Sequence, residues 1–220
     1  MSWWLEACQS PSESVLAQAL ARQSQLTKPT GSLSELESVA VTLASLQNTV
    51  KPKIDRPWIT IFAGDHGVME ENISAYPQVV TRQMLQNSAT GGACISVIAK
   101  EYQAKLQVID CGSVGEAYEY VGVERHCIRA GTANFAQTPA MTEAECEAAF
   151  ALGQKSVEDA IAYGADIYVA GEMGIGNTCS ASAVACFLLA EPAEKLTGVG
   201  TGIRTEQLIH KKQVIDQALA

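Results

Sequence analysis

The stretch that most constrains this chain is Ala165-Asp-Ile-Tyr-Val-Ala-Gly-Glu-Met-Gly-Ile-Gly-Asn-Thr-Cys-Ser-Ala-Ser-Ala-Val-Ala185. Ile167 to Ala170 is short, apolar and rich in β-branched and aromatic residues, as a buried strand requires. Glycines at 171, 174 and 176 break it, and an Ala-rich helical run follows to Ala190. Asn177, Thr178 and Ser180 are available as helix N-caps. Strand, glycine turn and helix start together make an anion site, because glycine lets the backbone approach a ligand and the first N–H groups point at it. Glu172 falls at the carboxyl end of the strand, where open α/β sheets bind ligands. A carboxylate beside a phosphate cradle suits a ligand that also carries a cationic or hydroxyl-bearing part. The pattern is neither G-x-G-x-x-G nor a Walker A loop, so a glycine-rich turn without a ligand remains open on this stretch alone.

The rest of the chain sets that stretch in an alternating pattern. Trp58-Ile-Thr-Ile-Phe-Ala63 is a continuous apolar strand of the kind covered on both faces, ending in Gly64-Asp65-His66-Gly67. Asp65 and His66 at a strand tip fit acid–base or metal chemistry, and equally a turn cap with a locally bonded imidazole. A helix is expected from Tyr76-Pro77 through Leu85 and another over Cys94–Ala99, followed by a strand at Ala104–Cys111. Val121, Val123 and Ile128 suggest a further short strand, and residues 129–134 a polar loop. Thr142-Glu-Ala-Glu145 is a capping box opening a long helix that stops at Gly164. After the central stretch, Leu196 to Gly202 reads as a second glycine-rich loop after a short strand, and a helix with Lys211 and Lys212 closes the chain. Alternating strands and helices imply a parallel, Rossmann-like sheet flanked by helices. The strand tips after Ala63, Asp110 and Ala170 would then share one edge, bringing Asp65, His66, Glu172 and the second glycine loop to one crevice.

Residues 10–48 differ in kind. Capping boxes at Ser10-Pro-Ser-Glu13 and Ser32-Leu-Ser-Glu35 open two helices. Val15, Leu16, Ala19 and Leu20 form one stripe, and Leu33, Leu36, Val39, Ala40, Leu43 and Leu46 another. The division expected is a helical hairpin over 1–50, part of a small domain, and an α/β domain over 51–220. The break Lys28-Pro-Thr-Gly-Ser-Leu33 is unusually definite for a linker, though a helix stop and start would explain it.

Composition narrows the function classes. With 47% hydrophobic and 18% charged residues, a sizeable core is expected and disorder is not. A net charge of −9 argues against non-specific nucleic-acid binding. Seven scattered cysteines without a C-x-x-C pair read as reduced core residues of a cytoplasmic protein. The amino terminus lacks the features of a secretory signal, and no apolar run suits a membrane span.

Taken together the motifs resemble the nicotinate-nucleotide–dimethylbenzimidazole phosphoribosyltransferase (CobT) family. The residues that carry the likeness are Lys28-Pro-Thr-Gly-Ser-Leu33 with Leu36-Glu37, Ala63-Gly-Asp-His-Gly-Val68, Ser74-Ala-Tyr-Pro-Gln78 with Val80-Thr81, Gly171 through Thr178, and Gly198-Val-Gly-Thr-Gly202 followed by Leu208 and Lys211. The resemblance implies a cofactor-independent, metal-free transfer of phosphoribose from nicotinate mononucleotide to 5,6-dimethylbenzimidazole, by a cytoplasmic homodimer that binds neither nucleic acid nor membrane. It implies Glu172 as the catalytic carboxylate. Phosphate and ribose would lie on Gly174, Gly176, Asn177, Thr178, Gly200, Thr201, Gly202 and Lys211, and the base on Asp65, His66, Tyr76, Pro77, Gln83 and Met84. The likeness is to an amino-terminal portion of a longer pattern, so it also implies an α/β domain incomplete at its carboxyl end, with the general-base glutamate beyond Ala220 and little turnover from these residues alone. Tyr76 replaces a small hydroxyl residue of some relatives, and Ile203-Arg204 departs from the expected loop. Two other readings stay open: a non-catalytic phosphate-binding or interaction fragment, and a metal-dependent hydrolase using Asp65, His66, Asp110 and Glu172.

Overall fold

The computed structural model describes residues 3–116 and 118–220. The chain divides into two compact units, one ending at Asp55 and the other beginning at Arg56. In the first, α1 (Glu13–Gln25) and α2 (Glu35–Leu46) pack through Ala19, Val41 and Ala44, with Val15 against them. The predicted caps shift here. Ser12 is the α1 N-cap and its hydroxyl accepts from Val15 N at 3.3 Å, so the start lies two residues after Ser10. The box at Ser32–Glu35 does not form: Ser34 stands at the N-cap with φ 49° and makes no side-chain cap. Glu37 takes over, accepting from Leu33 N (3.2 Å) while its carboxylate pairs with Lys28 at 2.6 Å. Lys28, its proton-donating partner, holds the Glu37 carboxyl below the usual carboxylate range. The face of α2 that packs is Val41, Ala44 and Ser45, while Leu33, Leu36, Val39 and Leu46 of the predicted stripe remain exposed, as do Leu16 and Leu20 on α1. Small residues win the contact because they let two short helices approach closely.

The second unit is a four-stranded, all-parallel sheet in the order β3-β2-β1-β4. Its strands are β1 (Pro57–Gly64), β2 (Lys105–Gly112), β3 (Glu124–Arg125) and β4 (Ile167–Met173). The sequence-predicted strand in 119–134 shrinks to the two residues of β3. Between β1 and β2 come α3 (Val79–Ala89) and α4 (Cys94–Glu101), and between β3 and β4 the long α5 (Glu143–Tyr163). Ile59 and Ile61 face α4, packing on Ala99, and Ala63 packs on Leu85 of α3. The alternate residues of β1 face α5: the Trp58 ring meets Tyr163 edge-on at 5.4 Å, and Thr60 Oγ1 lies 2.9 Å from Ser156 Oγ. β1 is therefore apolar but for Thr60, because both its faces are covered. Its one buried hydroxyl sits in a network with Trp58 Nε1, Gln107 and Ser156, and Ser156 in turn meets Tyr168 at 2.9 Å.

α5 is the helix the sequence forecast best. Thr142 and Glu145 form the complete reciprocal box, and Gly164 ends the helix at φ 81°. Beyond β4, α6 (Asn177–Leu189), α7 (Ala193–Leu196) and α8 (Thr205–Leu219) surround a core of Val68, Ile73, Cys179, Cys186, Val214 and Ile215. α7 is a correction, since a short strand was expected before the second glycine loop; four residues of helix stand there instead. The cysteines are a second correction. All are free, but only Cys179 and Cys186 are buried, and Cys8, Cys94 and Cys127 are exposed. The chain runs from β1 outward to β2 and β3, then returns to add β4 on the other side. That reversal opens a crevice beyond the carboxyl ends of β1 and β4.

Candidate active site

At this crevice Phe62 is in register with Glu172, and Ala63 with both Asp110 and Met173. The strand-tip residues are thus neighbours, as the alternating pattern required. Gly171 lies within β4, not after it; a Cβ there would come within 2.4 Å of Ile61 Cδ1. Gly174 is stricter, because a Cβ would stand 2.1 Å from the Gly64 carbonyl oxygen. Gly176, at φ 98°, is the actual N-cap of α6, in place of the hydroxyl and amide residues expected for that role. The first amides of α6 are engaged locally. Asn177 N donates to Gly174 O (3.0 Å), Thr178 N to Asn177 Oδ1 (2.8 Å) and Cys179 N to Gly176 O (3.0 Å). Asn177 Nδ2 also donates to Glu172 Oε2, so one side chain ties the β4 carboxylate to the helix start.

Lys211 enters from α8. It is 1% exposed, and its Nζ donates to Thr178 Oγ1 at 2.7 Å and to Gly198 O at 3.1 Å. Burial holds its pKa below the ordinary lysine value, with the Cys179 thiol opposing that shift. Lys211, Thr178, Gly174, Gly176, Asn177, Thr201 and Tyr76 line a cavity of about 50 Å³. Gly200 and Gly202 flank Thr201 without lining the cavity themselves: at φ 63° and 78°, their missing side chains leave room for Thr178 Oγ1 and the Tyr76 ring.

A larger cavity of about 200 Å³ has Glu172 in its wall. Phe62, Ile128, Met141 and Ala149 give it apolar walls, and Asp65, His66, Arg129, Glu145 and Glu172 give it polar ones. Arg129 stands 3.7 Å from Glu145, whose carboxyl is held below the usual range chiefly by the Thr142 amide and hydroxyl. Burial pushes the Cys111 thiol on this wall up to about 11. Asp65 is 2% exposed and accepts from Thr81 Oγ1 (2.7 Å) and Val114 N (2.8 Å). Burial raises its pKa against those two donors. It fastens three segments, since Thr81 Oγ1 also accepts from Ile175 N at 3.0 Å.

A family model described as phosphoribosyltransferase matches residues 8–220. The chain belongs to that family. It is 54% identical over 219 residues to a nicotinate-nucleotide–dimethylbenzimidazole phosphoribosyltransferase of Pseudomonas fluorescens (strain Pf-5), covering 100% of this chain and 62% of the relative. With the protein of the same name from Pseudomonas aeruginosa (strain PAO1) it shares 47% over 220 residues, 63% of that relative. The crystal structure of CobT from Thermus thermophilus superposes with a TM-score of 0.86 at 47% identity, covering 94% of this chain and 62% of the other. The chain thus spans about 62% of the length of these relatives. The CobT-type resemblance carried by the five motifs is borne out.

Within this member of the family the predicted residues fall into separate groups. Gly174, Gly176, Asn177, Thr178, Thr201 and Lys211 share the small cavity with Tyr76, while Asp65, His66 and Glu172 share the large one. Pro77 and Gln83 are exposed, and Met84 is half-buried with its sulfur near Asn87 Nδ2 (3.8 Å); none of these three lines either cavity. The metal-hydrolase reading is not favoured by the strand-tip carboxylates. Asp110 accepts from Gly112 N, Ser113 N, Ser113 Oγ and Tyr118 OH, and Asp65 is occupied as described. Among the described residues, no group of three or more His, Cys, Asp or Glu is arranged to hold a metal ion, and no helix is long and apolar enough to cross a membrane. Sequence reasoning missed Phe62, Ile128, Arg129, Met141, Glu145 and Ala149. The one available signal was alternation along β1, which sends Phe62 to the α5 face.

Proposed function

We propose that this chain forms the phosphoribosyl-binding part of an enzyme that transfers phosphoribose from nicotinate mononucleotide to 5,6-dimethylbenzimidazole, giving α-ribazole 5′-phosphate and nicotinate. The observation that carries the reading is Lys211, an ammonium buried against Thr178 and Gly198 at the head of α6. A phosphate dianion is the partner such a group is built to take. In this reading Gly174–Thr178, Gly200–Gly202 and Lys211 hold the 5′-phosphate, which places C1′ toward Glu172. The apolar walls beside Phe62 and Ile128 take a flat base, with Asp65 and His66 at its edge. Tyr76 stands nearer the sugar, and Pro77, Gln83 and Met84 act on the base only if α3 and the loop before it move.

The chemistry follows from the charges. A benzimidazole ring nitrogen attacks C1′ on the face opposite nicotinate. The C1′–N bond breaks, its electron pair returns to the pyridine nitrogen, and the benzimidazole N–H proton passes to a base. Glu172 stabilises the positive charge that develops at C1′. The leaving ring is already cationic, so its departure draws on no further acid. We place the proton-accepting base in the part of the relatives' length that these residues do not span. Losing such a group costs about 10²–10⁴-fold in rate, so these residues alone turn over little. The same reading makes the enzyme a cytoplasmic homodimer with no resident cofactor. It has no nucleic-acid or membrane partner, in keeping with the net charge of −9.

The test is incubation with nicotinate mononucleotide and 5,6-dimethylbenzimidazole, with product read by mass spectrometry and mononucleotide binding by calorimetry. Binding with little product is the expected outcome. Abundant α-ribazole 5′-phosphate would place the base within these residues, and absence of mononucleotide binding would overturn the reading.

A further inference from the structure

His66 is held more firmly than a cavity wall needs. Its Nδ1 lies 2.9 Å from Ser180 Oγ, in the first turns of α6, and its Nε2 faces Glu172 Oε1 at 3.8 Å. A Cβ on Gly174 would stand 3.1 Å from both that nitrogen and that oxygen, and a Cβ on Gly176 would stand 3.1 Å from His66 Cβ. The two turn glycines therefore leave room for the imidazole, which sits directly under the loop. Its backbone carbonyl is fixed as well, accepting from Gln78 Nε2 at 3.2 Å. The second oxygen of Glu172 is taken by Asn177.

We propose that His66 is a positioning residue for the phosphoribosyl transfer, oriented by Ser180 and holding the Glu172 carboxylate toward C1′. The inference rests on the reading of Glu172 as the group that stabilises charge at C1′. The tautomer logic is direct. When the Ser180 hydroxyl donates to Nδ1, a neutral ring carries its proton on Nε2, the nitrogen facing Glu172. When the ring is protonated, Ser180 accepts and Nε2 still carries a proton. Glu172 thus meets an N–H in both of these states; the remaining neutral tautomer, with Nδ1–H donating to Ser180, would set a bare Nε2 against the carboxylate, and the charge of Glu172 disfavours it. A separation of 3.8 Å is too long for a hydrogen bond. Such contacts tighten when substrate completes the site.

The test reads charge recognition by binding, so it does not depend on turnover. The probes are ribose 5-phosphate and its cationic ring analogue, 1,4-dideoxy-1,4-iminoribitol 5-phosphate, titrated calorimetrically into the chain. The wild type should bind the cationic probe tighter by about tenfold or more, as expected for a mimic of the charged transition state. His66→Ala should lose most of that preference, by about fivefold or more, while ribose 5-phosphate affinity stays within about twofold. His66→Gln, which puts an amide N–H near the position of Nε2, should restore it. Should His66→Ala not fold, Ser180→Ala decides: it should lower the preference by about threefold. Unchanged preference in His66→Ala or Ser180→Ala, or equal loss in His66→Ala and His66→Gln, would overturn the inference alone. Failure of the wild type to bind ribose 5-phosphate would overturn the phosphate-cradle reading and this inference with it. Binding of both probes equally would overturn the role of Glu172.

Discussion

Replacing Lys211 with methionine separates ligand recognition from folding. The side chain is 1% exposed, so the cost of taking its ammonium out of water is met during folding, before any ligand arrives. A phosphate that binds there gains a charge-assisted contact worth about 1.5–3 kcal/mol, and the prior desolvation favours the upper half of that range. At about 1.4 kcal/mol per factor of ten, Lys211→Met should weaken ribose 5-phosphate or nicotinate mononucleotide binding by roughly 30–150-fold. Folding responds differently. Methionine matches the shape of the lysine stem but leaves Thr178 Oγ1 and Gly198 O without their shared donor, at about 1–3 kcal/mol. Removing a buried ammonium whose charged form burial disfavours offsets much of that cost. The net change in unliganded stability should be within about 1 kcal/mol. Calorimetric titration gives the first quantity and urea unfolding the second. A loss of affinity below about threefold would refute the placement of phosphate on Lys211. A collapse of stability with affinity preserved in the folded fraction would make Lys211 a packing residue.

The same lysine gives a pH signature. Its folded pKa lies below the unfolded value, so between the two the unfolded chain binds more protons, and stability from this group rises with pH across that window, up to about 10.5. The slope should vanish in Lys211→Met, and bound phosphate should cause proton uptake by raising the folded pKa; wild-type and variant curves of the same slope would refute this. Gly174→Ala forces a Cβ to within 2.1 Å of the Gly64 carbonyl, two backbones that cannot both give way. It should cost about 1–3 kcal/mol or more and abolish phosphate binding, and a variant of wild-type Tm and affinity would count against the turn as drawn. Ser156→Ala takes one partner each from Thr60 and Gln107, which keep their bond to each other, and removes the hydroxyl that Tyr168 OH meets, so it should cost about 1–3 kcal/mol in urea unfolding at unchanged m-value. A neutral result would mean that the network reorganises without its centre.

What was legible in the sequence was local. β1 reads as a doubly covered strand because Trp58 to Ala63 is apolar on both faces, and α5 reads to the residue at both caps because Thr142, Glu145 and Gly164 meet no competitor. The box at Ser32–Glu35 failed for a reason outside its four positions. Glu37 had Lys28 to pair with, and the turn between them put Ser34 at a positive φ of 49°, away from the extended backbone of a capping serine. The large cavity was illegible for a different reason. Phe62, Ile128, Met141 and Ala149 come from four segments, joined only by the strand order and by the crossover that lays α5 against one face of the sheet.

The glycine turn shows how one sequence pattern can have two causes. Gly174 and Gly176 suggest a backbone opened for a ligand, yet the atoms that side chains would strike there belong to the protein: the Gly64 carbonyl, Glu172 and His66. Close approach of β1 and β4 is enough to require them. The first amides of α6, expected to face an anion, are already spent on Gly174, Asn177 and Gly176. The proposed anion site therefore rests on Lys211, more than thirty residues away in sequence and buried beside Thr178 with its charge facing no carboxylate in the two hydrogen bonds it makes. A glycine pattern marks where the backbone must come close; the chemistry is marked by the charge that folding carries to that point.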